Sequence, residues 1–177
     1  EEGYFADVKV FGSFAWSKTR PDAGKYMLGM PLFSDPTDPT SYIGDEGAAA
    51  GESKTGTSYW FGANLPVLGG TLGLEYNHGS RYWRPFDYAE DTMIGSKLAT
   101  RGDAWEAYYT YQLTDALSAQ FRYTSIDYDY TGSNGFFASG GTPIKVSDIK
   151  DGAWGPDFQK ITVEKAQDAR FYIRYRF

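Results

Sequence analysis

The one histidine in the chain, His78, stands two residues before Ser80, so in an extended segment both side chains leave the same face. An imidazole beside a hydroxyl is part of a nucleophilic device. The ring takes the hydroxyl proton, and a third polar group fixes the ring's orientation. Asn77 faces away from His78, so that third group has to come from a neighbouring strand. Two residues make a weak motif. A His and a Ser at a solvated strand exit is the favoured reading, and no enzymatic activity is expected. Asp35, Asp38, Asp45 and Glu46 offer oxygen ligands, but without the spacing and glycine placement of a calcium loop. They read as a solvated acidic loop. Arg101, Gly102 and Asp103 spell a cell-adhesion tripeptide that recurs by chance. The absence of cysteine removes disulfides, thiolate zinc sites and thiol nucleophiles. No cofactor and no metal are expected.

A second set of residues has chemistry of another kind. Lys9, Glu75, Arg81, Glu106, Arg122, Asp168, Arg170 and Arg174, with Asp7 and Arg176, are charges set among apolar neighbours at alternating positions. On one wall of a wide barrel they line water and bias ion passage. In a narrow barrel they pair into a plug. The basic excess predicts a mild preference for anions. For any single residue, a solvated or paired wall charge is favoured over a specific solute contact.

Positioning these charges requires strands, and period-two alternation marks six. They run over residues 4–16, 57–65, 71–81, 105–113, 117–124 and 169–177. The fifth blurs at Ile126–Asp129, where a bulge or a boundary is expected. The connections alternate between long (18–56, 82–102, 130–160) and short (66–70, 114–116), which predicts an antiparallel meander with all long loops at one end. The long first loop is expected to narrow the passage. Two aromatic belts are predicted: Trp16, Tyr82, Trp83, Trp105 and Tyr128 at the long-loop end, and Tyr4, Tyr111, Tyr175 and Phe177 at the other.

Composition agrees with strands that have one apolar face. Aromatic residues make up 18%, yet mean hydropathy is −0.50, because alternation hides an apolar face from any average. No window reaches the roughly 20 apolar residues of a spanning helix. A net charge of −6 argues against a nucleic-acid partner. The start, Glu1-Glu2-Gly3-Tyr4, is unlike a signal peptide, so either a leader has been removed or the chain begins inside a longer protein. A single domain over 1–177 is expected.

The ending "FYIRYRF" resembles the C-terminal signature of Gram-negative outer-membrane β-barrels, matched here by Phe171, Ile173, Tyr175 and Phe177. The segment "LGLEYNHGSRYW" adds a similarity to the end of a larger porin-like protein. The resemblance implies an antiparallel transmembrane β-barrel in the bacterial outer membrane, recognised by the barrel-assembly machinery, with a periplasmic C-terminus. It implies a porin-like channel for passive diffusion of ions or small solutes, with outer-membrane lipid as its surroundings. A closed structural or adhesive barrel acting through its loops is the alternative. The His78–Ser80 spacing is similar to that of outer-membrane phospholipases, whose fuller serine motif is missing. Six strands fall short of the eight usual for one bacterial chain, so a larger barrel or a homo-oligomer is expected.

Overall fold

The computed structural model describes residues 7–18, 20, 34–35, 38–42, 53–85, 92, 94–133 and 143–177. It is all-β at its centre. β1 (Lys9–Lys18), β4 (Thr55–Val67), β5 (Gly70–Gly79), β6 (Gly102–Gln112), β7 (Leu117–Tyr128) and β8 (Lys165–Tyr175) form one six-stranded antiparallel sheet in chain order. A small hairpin, β2 (Ser34–Asp35) with β3 (Asp38–Tyr42), lies in the first long connection. The last long connection carries two short helices, α1 (Val146–Lys150) and α2 (Pro156–Ile161). The sheet is open. Among the described residues, β1 and β8 each have a strand neighbour on one side only.

Pairing is continuous along every main ladder, so each strand keeps its odd and even side chains on fixed faces. One face carries Val10, Phe14, Trp16, Tyr59, Phe61, Leu74, Trp105, Phe121, Phe171 and Ile173, all exposed. The opposite face carries Ser58, Glu75, Asn77, Glu106, Gln120 and Thr124, all buried. The short turns hold this register. In the β4–β5 turn, Leu68 (φ 49) and Gly69 (φ 75) both sit at positive φ, which matches the right-handed twist of a two-residue hairpin. In the β6–β7 turn the Thr114 hydroxyl accepts the backbone N–H groups of Ala116 and Leu117 at 3.3 and 3.0 Å, closing a side-chain turn. Gly73 has a separate role. A Cβ there would fall about 2.0 Å from the Tyr108 ring, so the missing side chain lets the ring lie across the polar face.

The strand ends differ from the sequence expectation: β4 extends two residues further at each end, β6 and β8 begin three and four residues earlier, and three other ends are instructive. β1 begins at Lys9, and Tyr4 lies outside the described residues. β5 stops at Gly79, two residues short of the expected Arg81. There Ser80 turns the chain: its N–H donates to Thr57 O, its O accepts from Trp83 N, and its Oγ accepts from Thr57 N. β7 runs without a bulge to Tyr128. The blurred pattern there is a reversal of polarity. Ile126, on the polar face, is fully buried because long-loop segments cover that face at this height, while Ser125 and Asp127 occupy the opposite face.

Those segments build a small core over the polar face at the long-loop end. Trp83, Ala99, Ala104, Ile126, Val146 and Ile149 are its buried apolar members. Arg101, fully buried, ties the segments together. Its Nε donates to Trp83 O and its Nη1 to Thr131 O, while its backbone O accepts from Asp129 and Tyr130.

Candidate functional site

Glu75 on β5 and Glu106 on β6 are directly opposite each other in the ladder and share the polar face. Two like charges in that position repel, and burial removes the water that would screen them. A cation has to lie between them. It comes from the β5–β6 connection, where a 3-10 turn over Lys97–Ala99 is capped by Ser96, whose Oγ accepts from Leu98 N. Lys97 Nζ lies 2.6 Å from Glu75 Oε2 and 2.7 Å from Glu106 Oε1, with side-chain exposures of 7%, 8% and 3% for the three groups.

Other donors also reach the two carboxylates. Trp60 Nε1 donates to Glu75 Oε2 at 2.9 Å, and the Thr124 hydroxyl donates to Glu106 Oε2 at 2.9 Å. Arg122 Nη1 stands 3.3 Å from Glu106 Oε1, its guanidinium over the Tyr108 ring at 5.0 Å. Two carboxylates and two cations therefore form a neutral cluster, the condition under which buried charges are tolerated. The turn that delivers Lys97 is held at its backbone as well. Asn77 Nδ2 donates to Lys97 O and Trp83 Nε1 to Leu98 O, both at 2.8 Å.

Register extends the cluster into two rows. Glu106, Thr124 and Asp168 occupy one row across β6, β7 and β8, and Tyr108, Arg122 and Arg170 occupy the next. Asp168 and Arg170, two apart on one face, pair directly, and Arg170 Nη1 donates to the Tyr172 hydroxyl. Lys9 lies on the polar side of edge strand β1 and is exposed. Arg174 is exposed and stacks on Tyr172 at 5.5 Å. Asp7 and Arg176 are exposed as well.

The sequence therefore identified Glu75, Glu106, Arg122, Asp168, Arg170 and Arg174 as members of one face. Arg81 is a correction. It lies past the end of β5, donates from Nε to Pro143 O and stacks on Tyr82 and Tyr130, because the turn at Ser80 carries it off the sheet. Lys97 was missed. It sits in a connection with no periodicity, and its only signal was the unbalanced facing pair Glu75 and Glu106, visible once register is known. Most of the first long connection lies outside the described residues; among the described residues the polar face is covered by the β5–β6 connection and, at the long-loop end, by the segment that carries Val146 and Ile149.

The opposite face is graded along its height. At the long-loop end, the row Tyr59, His78, Asp103, Asp127 and Lys165 is largely polar. The next row runs through Gly12, Phe61, Tyr76, Trp105, Ser125 and Gln167, with its aromatics at the centre, and the one after it through Val10, Ala63, Leu74, Ala107, Tyr123 and Ala169. Phe171, Ile173 and Tyr175 of the terminal motif are each 65% exposed, and Phe177 is fully exposed. The expected aromatic belts need correcting. Trp16, Trp105, Tyr111 and Tyr175 stand exposed on the apolar face, but Trp83 is buried in the loop core and the Tyr128 hydroxyl donates inward to Ile94 O. Tyr82 belongs to the turn after β5. Both inward aromatics were drawn in by the loops that cover the polar face.

His78 and Ser80 have separate engagements. His78 Nδ1 lies 2.8 Å from Asp103 Oδ1, an oxygen that also accepts the Tyr76 hydroxyl, and the ring stacks on Tyr59 at 5.1 Å. Ser80 Oγ is held by Thr57 N. Arg101 is buried inside the loop core, so the adhesion tripeptide is not displayed to a receptor. Among the described residues no group of three or more His, Asp or Glu is placed to hold a metal ion; Asp45 and Glu46 lie outside the described residues.

A family model described as "Protein of unknown function (DUF3373)" matches residues 1–177. No curated protein and no solved structure matches the chain.

Proposed function

We propose, for a chain that belongs over residues 1–177 to the DUF3373 family, that it forms wall strands of a porin-like outer-membrane β-barrel. One observation carries this reading. Every one of the six strands presents exposed apolar side chains on one face of the sheet, below a polar row at the long-loop end, while the opposite face buries Glu75, Glu106, Gln120 and Thr124 at its centre. An apolar area this extensive has to meet something other than water. Its change from the row of His78, Asp103, Asp127 and Lys165 to the row of Val10, Ala63, Leu74, Ala107, Tyr123 and Ala169, which has no charge, fits the passage from lipid headgroups to hydrocarbon. The strand lengths, 10 to 13 residues, suit tilted membrane strands, which need about 9–11.

Strands in hydrocarbon need closure, since open edges leave backbone groups unsatisfied. The edges of β1 and β8 are therefore joined by further strands of the same polypeptide or by another copy. Small solutes or ions pass through the water-filled lumen without a cofactor, past the β5–β6 segment. With Glu75, Glu106 and Asp168 offsetting Lys97, Arg122 and Arg170, the anion preference rests on the excess of Lys9, Arg174 and Arg176 over Asp7. The short-turn end and the C-terminus face the periplasm, where the terminal aromatic motif is offered to the assembly machinery.

Planar-bilayer recording on the full-length protein tests this. Stepwise conductance is expected. Insertion into vesicles with no conductance overturns the channel and leaves a closed structural barrel acting through its loops, a second reading favoured by the fully paired charges around Lys97. A full-length protein that stays compact and monomeric without detergent overturns both.

A further inference from the structure

We infer that Lys97 sets the bore and the charge selectivity of this channel, an inference that rests on the channel reading above. Every other member of the central cluster belongs to a wall strand: Glu75 to β5, Glu106 to β6, Arg122 and Thr124 to β7. Lys97 alone comes from a connection. The bonds from Asn77 and Trp83 hold the backbone of that connection near the long-loop end, whereas the Lys97 side chain reaches one row deeper, to the Glu75–Glu106 pair. It is therefore the tether that holds the segment across the passage. It is also half of the positive charge that balances the two carboxylates.

Removing that ammonium has two effects with separate signatures. The segment loses its deepest anchor, so the passage widens. The wall, keeping Glu75, Glu106 and Arg122, changes locally from neutral to a net charge of −1, which attracts cations. Removing the carboxylates instead also frees the segment but leaves Lys97 and Arg122 in excess, which attracts anions. A side chain that merely filled space would change the bore without opposite changes in selectivity.

The experiment compares full-length wild type, Lys97→Gln, Glu75→Gln and the double variant Glu75→Gln/Glu106→Gln in planar bilayers under a potassium chloride gradient. Lys97→Gln is expected to raise single-channel conductance about twofold and move the reversal potential towards cation selectivity. The double variant is expected to raise conductance and move the reversal potential the other way. Identical conductance and reversal potential in wild type and Lys97→Gln overturn the inference and leave the channel reading standing. A silent wild type overturns the channel reading and the inference with it. If Lys97→Gln does not assemble, Glu75→Gln, which retains the Lys97–Glu106 pair, decides: a shift towards anions supports the role, and an unchanged reversal potential overturns it.

Discussion

The two faces of this sheet are built from alternate residues of the same strands, yet they invert the order of a water-soluble domain. Ala107 lies on a face where Trp105, Phe61 and Leu74 are exposed, while Glu106, one residue away, is almost fully buried. On the polar face the burying material is the protein's own long connections, which bring Lys97 and Arg101 to the wall. On the apolar face nothing among the described residues covers the rings. The comparison teaches that burial and polarity are separate variables. Charges are buried where a partner of opposite sign has been supplied, and rings are left outside where the medium is expected to be hydrocarbon.

The largest test of that contrast is Glu106→Ala. Lys97 then faces Glu75 alone, Arg122 loses its carboxylate and Thr124 its acceptor. Breaking a buried pair in this way costs about 3–5 kcal/mol, measurable as a lowered midpoint in urea unfolding of the detergent-folded protein. A loss near zero would mean that the cluster is wet and the contrast false. Next in size is Ala107→Arg, on the other face of the same strand. If that face meets the bilayer midplane, the substitution costs about 2–4 kcal/mol and lowers assembly into vesicles, read as the folded fraction. An unchanged fraction would place the face in water. The smallest effect is expected for Lys165→Ala. Lys165 pairs with Asp127 at 2.9 Å in the polar row, both side chains about half exposed, so the loss is at most about 1 kcal/mol and fades with added salt. A larger, salt-insensitive loss would put that row inside the hydrocarbon and shift the boundary between the two regions.

Much of this was legible in the residues. Trp105, Ala107, Tyr109 and Tyr111 alternating with Glu106, Tyr108 and Thr110 announced a two-faced strand, and β6 is one. The terminal motif did the same for β8, and the short connections expected over 66–70 and 114–116 fall at the β4–β5 and β6–β7 turns. Arg81 continued the alternation of β5 yet leaves the sheet, because Ser80 offers its backbone and hydroxyl to Thr57 and turns the chain. Trp83 and Tyr128 resembled interface aromatics by type and place, but their surroundings were decided by loops with no periodic signal. Lys97 was the least legible. Nothing local distinguishes a lysine in a polar connection from a solvated one.

The sequence by itself determined which segments form strands and which of their residues share a face, since the period of two is a property of the backbone and needs no distant partner. Tertiary structure alone decided that Glu75 stands opposite Glu106, that Lys97 comes to lie between them, and that Arg101 and Trp83 are buried. Those facts depend on register between strands and on where long connections come to rest. Both are contacts between residues far apart in the chain, and no local pattern encodes them.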